Sequence, residues 1–469
     1  MKKSCLLWFT EDLRIRDHHP LQVAVSMGYD VIPVYIHTTD EDPWPMGSAS
    51  KWWLHHSLEK LSRRLSEKGS RLVIRQGKIL TVLKEVLEET GASALFFHRR
   101  VEPFARQIEE GMQILPCEVH GFFDQLLFTP GSVLNGKNEP YRVYTPFYNA
   151  CLKMSPPRLP IGEPASLPAI SKTIQSMQIK ELNLSPSFSW DAEFPTLWVP
   201  GEVSAIGRLK QFLSTGITDY SLQRDFPAVD GTSLLSPHLH FGEISVFQIW
   251  QAISKSVGDL GRPYMRQLVW REFARHMLYF FPDTDLHPLR PEFSHFPWKK
   301  NHQHLVLWQK GQTGYPIVDA GMRQLWRLGW MHNRLRMIVG SFLVKDLLIP
   351  WQEGARWFWD TLVDADLSNN SFGWQWVSGC GADAAPYFRI FNPITQGEKF
   401  DPQGVYVRSF VPELKHLPDQ WIHKPWLAPD SVLRAAGVVL GKDYPHPIVN
   451  HDEARKLALQ SFSDCSRKP

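Results

Sequence analysis

The sequence predicts an α/β domain built on a parallel, Rossmann-like sheet, then a long connector, then a large and mostly helical domain. Three observations carry that expectation. The front of the chain alternates short β-type runs with helical ones, the middle is crowded with prolines, and the remainder is dominated by helical periodicity with frequent aromatics. The expected bounds are 1–128, 129–202 and 203–469.

The strand-like runs fall at 6–9, 31–36, 71–74, 94–97 and 117–122, with helical patterns at 21–27, 48–68, 79–89 and 102–113 between them. Such βαβ alternation implies a parallel sheet with helices on both faces. No G-x-G-x-x-G follows the first run, so a dinucleotide is not expected there in the usual way. Pro156, Pro157, Pro160, Pro164, Pro168, Pro186, Pro195 and Pro200 break any long periodicity and suggest an extended connector. The stretch after Pro447 is short and mixed in polarity, and no internal repeat is visible.

A chain of 469 residues can bury large cores without metals or disulfides. Its five cysteines are scattered with no zinc spacing, which fits a reducing compartment and leaves no metal site to expect. The net charge of +3 is too mild to announce nucleic-acid binding, although a basic patch can hide in such a total. The 19 tryptophans are many, and large amphipathic rings belong in layered cores or against flat partners. The first apolar run is short and is followed at once by Asp12 and Arg14, so it reads as a strand and not as a signal peptide. No run approaches a membrane span. A cytoplasmic monomer is expected.

Unusual residues concentrate in four places. Gly231, Thr232, Ser233, Leu234, Leu235, Ser236 and Pro237 combine a glycine, three hydroxyls and Ser-Pro, the pattern of a helix opening whose free N–H groups suit a phosphate. A plain capping turn would look the same. At 264–280, Gln267, Trp270, Arg271 and Ala274 share one helix face, suited to a planar polar ligand. At 330–341, Asn333 and Met337 lie one turn apart, with Gly340 and Ser341 beyond them to admit a flat group close to the backbone. At 364–376, Asp364 and Asp366 sit among Ala365 and Asn370, and Arg336 is the natural counter-charge.

Together these residues resemble DNA photolyases of the photolyase/cryptochrome family, closest to bacterial class I enzymes for cyclobutane pyrimidine dimers. The likeness rests on Trp-Met-His-Asn-Arg-Leu-Arg-Met at 330–337, Asp-Ala-Asp-Leu at 364–367 and Gly-Trp-Gln-Trp at 373–376. It extends to 381–393, to 311–319 and to Trp8, Phe9, Asp12, Leu13 and Arg14, in order along nearly the whole chain. The resemblance implies a helical domain that binds FAD. Tyr220, Thr232, Ser233, Leu234, Leu235 and Ser236 would then hold its phosphates and ribose. Asp364, Ala365 and Asp366 would line the ring side with Arg336 paired to the carboxylates, and Asn370 would sit beside the ring nitrogen protonated on reduction. Trp270 and Trp376 would stack on a flipped dimer, with Asn333, Met337 and Gln267 at its edges. Arg224, Arg271, Arg334, Arg389 and Gln396 match positions that meet DNA, and Trp374, Trp351 and Trp298 match the tryptophan chain that re-reduces the flavin.

The resemblance also separates branches. Six-four enzymes carry two His where this chain has Asn333 and Met337, which favours cyclobutane dimers. Gln267 points the other way, because most bacterial cyclobutane enzymes carry Glu there. Asn370 and the short tail favour repair over a cryptochrome photoreceptor. Thr10 and Leu234 depart from residues that are often basic in the family. The Asn-Glu pair of folate-binding members is not visible around Glu102, so folate is disfavoured as antenna. A deazaflavin, a second flavin or no antenna are the alternatives.

Overall fold

Apolar runs at the front of the chain line up as one all-parallel sheet in the order β3-β2-β1-β4-β5, made of β1 (Ser4–Phe9), β2 (Asp30–His37), β3 (Val73–Gln76), β4 (Ala94–His98) and β5 (Glu118–Phe122). The computed structural model describes residues 3–38, 41–167, 173–186, 189–384, 386–387 and 389–466. Pro168 of the connector, and Ala385 and Phe388 of the 381–393 motif, lie outside the described residues.

β1, β2 and β4 are buried almost throughout, as expected of strands covered on both faces. The covers are α1 (His19–Ser26), α2 (Ser48–Glu67), α3 (Ile79–Thr90) and α4 (Pro103–Gly111). α3 ends where Gly91 takes the left-handed conformation (φ 63°) that closes the helix. β3 begins two residues later than the 71–74 pattern suggested, at Val73.

The connector is not wholly extended. Eight residues form helix α5 (Tyr144–Cys151), whose Pro146 falls in the first turn, where a missing N–H costs little. Elsewhere ion pairs hold the connector down: Glu163 takes Arg16, Arg64 and Lys68, and Arg158 bonds Asp17 at 2.6 Å.

The rest of the chain is helical. The helices Arg262–Phe280, Pro316–Leu328, Asn333–Ser341, Trp351–Thr361 and Leu367–Ser378 build a core around Ile338, Val339, Phe342, Leu343 and Trp374. Among the described residues no helix is long and apolar enough to cross a membrane.

The sheet domain and the helices share a seam. The N–H of Leu13 donates to the Phe241 carbonyl at 3.0 Å, and the Arg14 guanidinium, itself buried, donates to Gly242 O at 2.9 Å. Trp53 of α2 packs against Trp198 and Phe241 and donates its Nε1–H to Glu243 at 3.1 Å. Gly242 is required here twice over: its φ is +61°, and a Cβ would lie 2.1 Å from the Glu11 carbonyl. Replacing it with alanine is expected to lower the free energy of unfolding by about 3 kcal/mol, since left-handed strain and a backbone collision add. Urea unfolding checks this: the midpoint should fall at unchanged slope, and an unmoved midpoint would refute the reading.

Candidate active site

Asp366 joins the elements on which most of the singled-out residues stand. As N-cap of the helix Leu367–Ser378, its Oδ1 accepts the Asn369 backbone N–H at 2.9 Å. Its Oδ2 accepts from Arg275 at 2.6 Å, across to the helix Arg262–Phe280. Burial alone would raise this carboxyl, but Arg275, with Arg271 behind it, outweighs it and holds the group well below the usual carboxylate range.

Asp364 takes the other arginine foreseen from the sequence. Arg336 Nη2 lies 3.0 and 2.8 Å from its two oxygens, and Arg336 Nε donates to the Met331 carbonyl. The expectation that Arg336 would serve both carboxylates is therefore half correct. Arg275 serves the second, and the i, i+4 spacing of Arg271 and Arg275 was the available signal. Ala365 is buried between the two acids. Asn370 is half-buried, and its Nδ2 donates to Ala355 O of the neighbouring helix at 2.9 Å.

Across from this segment lies the loop 231–236. Ser233 is buried and exchanges a hydrogen bond with the Tyr264 hydroxyl at 2.8 Å, while Thr232 is half-buried and Ser236 exposed. Leu234 takes a positive φ of 51°. The helix here spans only Ser236–His240, and Leu235, not Ser236, is its cap residue. Ser236 therefore occupies the first helical position, and the capping role expected of it falls away, because Pro237 at the next position fixes the backbone instead. Tyr220 is buried and edge-on to Tyr264.

The helix Leu367–Ser378 lies between the two remaining faces. Its Phe372 meets Trp270 at 5.9 Å, and its Trp374 and Val377 fill the space beside Gly340. That corrects one expectation: Gly340 admits a neighbouring helix, not a flat ligand, and buried Ser341 accepts the Phe391 N–H at 3.3 Å. Asn333 and Met337 do share a face, with Asn333 Nδ2 3.9 Å from the thioether sulfur. Gln267 is half-buried, with one long contact to Pro263 O at 3.4 Å. Trp376 is partly buried against the helical core.

The expected DNA contacts divide. Arg389 is exposed, and Arg224 and Gln396 are half-buried. Arg334 pairs with Asp225 at 2.9 Å and lies over the Phe400 ring. Arg271 differs: its guanidinium is mostly buried, bonded to Glu272 at 3.0 Å and to Gln125 O at 3.4 Å, and burial, then Arg275, lowers it to about 10. Trp374 and Trp351 are buried and Trp298 is half-buried. Gly354, one turn after Trp351, leaves the space that the Trp374 ring occupies.

Buried polar atoms without a protein partner gather beside Asp366: Arg275 Nη1, His240 Nδ1, Ser368 Oγ and Ser371 Oγ. Buried donors left over in this way ask for a ligand rich in acceptors. Unpaired polar groups of this kind suit a polar cofactor rich in acceptors.

A parallel-sheet domain seamed to a helical domain with buried, unpaired polar groups suits a cofactor-binding protein of two parts. Residues 5–166 match the family described as DNA photolyase, and residues 264–464 match the FAD binding domain of DNA photolyase. The chain is 45% identical over 468 residues to a deoxyribodipyrimidine photo-lyase of Agrobacterium fabrum, covering 98% of this chain and 97% of that one. It is 37% identical over 489 residues to cryptochrome-2 of Arabidopsis thaliana, covering 99% of this chain and 79% of that one. A solved class III photolyase from Agrobacterium tumefaciens superposes with a TM-score of 0.96 at 44% identity, over 100% of this chain and 98% of its own. The chain belongs to the DNA photolyase/cryptochrome family. Class III is the description of that solved neighbour, where the sequence pointed to class I.

Two predictions follow from the charges. Arg275→Leu is expected to cost about 3–5 kcal/mol of stability by stranding Asp366 as an unpaired buried charge, and adding Asp366→Asn should recover part of it. Chemical denaturation of the four-member cycle reads this, and additive losses would contradict it. His240 is held neutral, lowered to about 4 chiefly by burial. The folded chain then binds fewer protons at this site than the unfolded chain between about pH 6.5 and 4, so its contribution is complete above 6.5 and lost as pH falls through 4. His240→Gln should make the acid-side fall in stability shallower, whereas an unchanged slope would exclude His240 as a contributor.

Proposed function

We propose that this chain repairs cyclobutane pyrimidine dimers in DNA by light-driven electron transfer. The observation that carries the reading is the meeting of three helices: the one bearing Gln267 and Trp270 and the one bearing Asn333 and Met337 both pack on Leu367–Ser378, which bears Asn370, Trp374 and Trp376. Thr232, Ser233, Leu234, Leu235, Ser236, Asp364, Ala365, Asp366 and Asn370 would hold FAD, which when bound and reduced would supply a light-driven electron.

The chain's own residues do the rest. Trp270 and Trp376 offer flat faces to the extruded dimer, and Gln267 and Asn333 offer amides to its carbonyl and imide edges, with Met337 as soft contact. Neither Asn333 nor Met337 can act as an acid, so the proton chemistry of six-four repair has no agent there. Arg224, Arg334, Arg389 and Gln396 hold phosphates, which positions the strand without reading its sequence. Arg271, bonded to Glu272 and Gln125, supports the helix that carries Trp270. Trp374, Trp351 and Trp298 pass electrons inward from the half-buried end.

A photoreceptor role is the second reading, favoured by the identity to cryptochrome-2. Purified protein should show flavin absorption and should remove dimers from an oligonucleotide under blue light; flavin bands without dimer loss would move the chain to the photoreceptor branch. Gln267→Glu places an ionisable group at the dimer's edge. It is expected to change the pH profile of dimer binding or splitting, and a variant with the parent's affinity and quantum yield at every pH would remove Gln267 from the contact.

A further inference from the structure

The connector packs its helix α5 against the helix that carries Gln267 and Trp270. Tyr144, the first residue of α5, is 1% exposed and stacks on Trp270 with ring centroids 3.5 Å apart and planes 6° from parallel. No other ring pair among the described residues is as close. The phenol is held on several sides: its hydroxyl donates to the Arg266 carbonyl at 2.8 Å, its edge meets Phe273, and the Arg266 guanidinium lies 5.4 Å from its centroid. One turn on, Tyr148 lines a cleft of about 460 Å³ together with Arg224, Arg262, Pro263, Arg266 and Gln267.

Trp270 is only half-buried, and its remaining ring neighbours, Phe273 and Phe372, meet it at an angle. An indole free on both faces could turn about its side-chain torsions and present several planes. With one face filled by a ring that is itself tethered, a single plane is left.

We propose that Tyr144 is a positioning residue for dimer recognition: it fills one face of Trp270 and fixes the plane of the other, on which the dimer stacks. This rests on the repair reading above. The gain is preorganisation, because the ordering of Trp270 is complete before the lesion arrives. A core filler of the same size would support the fold but would not favour damaged over undamaged DNA.

The test compares flavin-loaded parent, Tyr144→Leu, Tyr144→Met and Tyr144→Phe for affinity to a dimer-containing oligonucleotide and to its undamaged counterpart. Loss of the stacked ring should weaken dimer binding about three- to tenfold in the leucine and methionine variants, the range of one aromatic pair. Affinity for undamaged DNA should stay within about twofold, and phenylalanine, which keeps the ring, should restore dimer affinity. If leucine prevents flavin loading, the methionine variant, whose unbranched side chain adapts to the space left by the ring, decides. Dimer binding unchanged in the leucine or methionine variant, or weakened equally with undamaged DNA, would overturn the assignment. A parent protein that does not distinguish the two DNAs would instead bring down the repair reading itself.

Discussion

The buried carboxylate of Asp366 is the joint on which the site depends. One oxygen caps the helix that carries Asn370, Trp374 and Trp376, and the other pairs with Arg275 on the helix that carries Gln267 and Trp270. Two ions taken out of water repay their desolvation only when geometry and further hydrogen bonds are good, and here the Asn369 backbone and side chain supply them. The relative placement of the two helices is thus tied to the buried Asp366–Arg275 pair. Asp364 and Arg336 repeat the device on the third helix.

The sheet domain belongs to the same electrostatic unit. Glu11, which follows β1, bonds Arg100 after β4, and its other oxygen faces His240 at 4.0 Å. Burial pushes Glu11 up to about 8, with Arg100 opposing and Glu102 and Asp366 reinforcing the rise. Charges of the sheet domain therefore bear on the cleft of the helical domain, and the close approach at Gly242 holds the two surfaces together.

Much of this was legible in advance. The strands and helices of the sheet domain were readable to within two residues, most clearly β1, β2 and β4, whose burial on both faces leaves their apolar runs unbroken. Asn333 with Met337, and Arg336 with Asp364, were readable because they obey local spacing or offer an obvious counter-charge. Gly340 misled because a small residue signals a close approach without saying what approaches; the occupant is Trp374 and Val377 of another helix. Arg271 misled for a similar reason, since position on a helix face does not tell which face is buried.

The family and the two-part architecture were determined by the sequence itself, because each rests on patterns local to the chain or on motifs kept in order along it. Tertiary structure alone decided the pairing of Asp366 with Arg275, the turning inward of Arg271, and the seating of Tyr144 against Trp270. Each of these joins residues 91, 146 and 122 or more positions apart, counting Arg275 to Asp366, Gln125 to Arg271, and Tyr144 to Arg266. Contacts at such separation leave no local period in the sequence, and only packing, desolvation and the closing of charges in three dimensions select them.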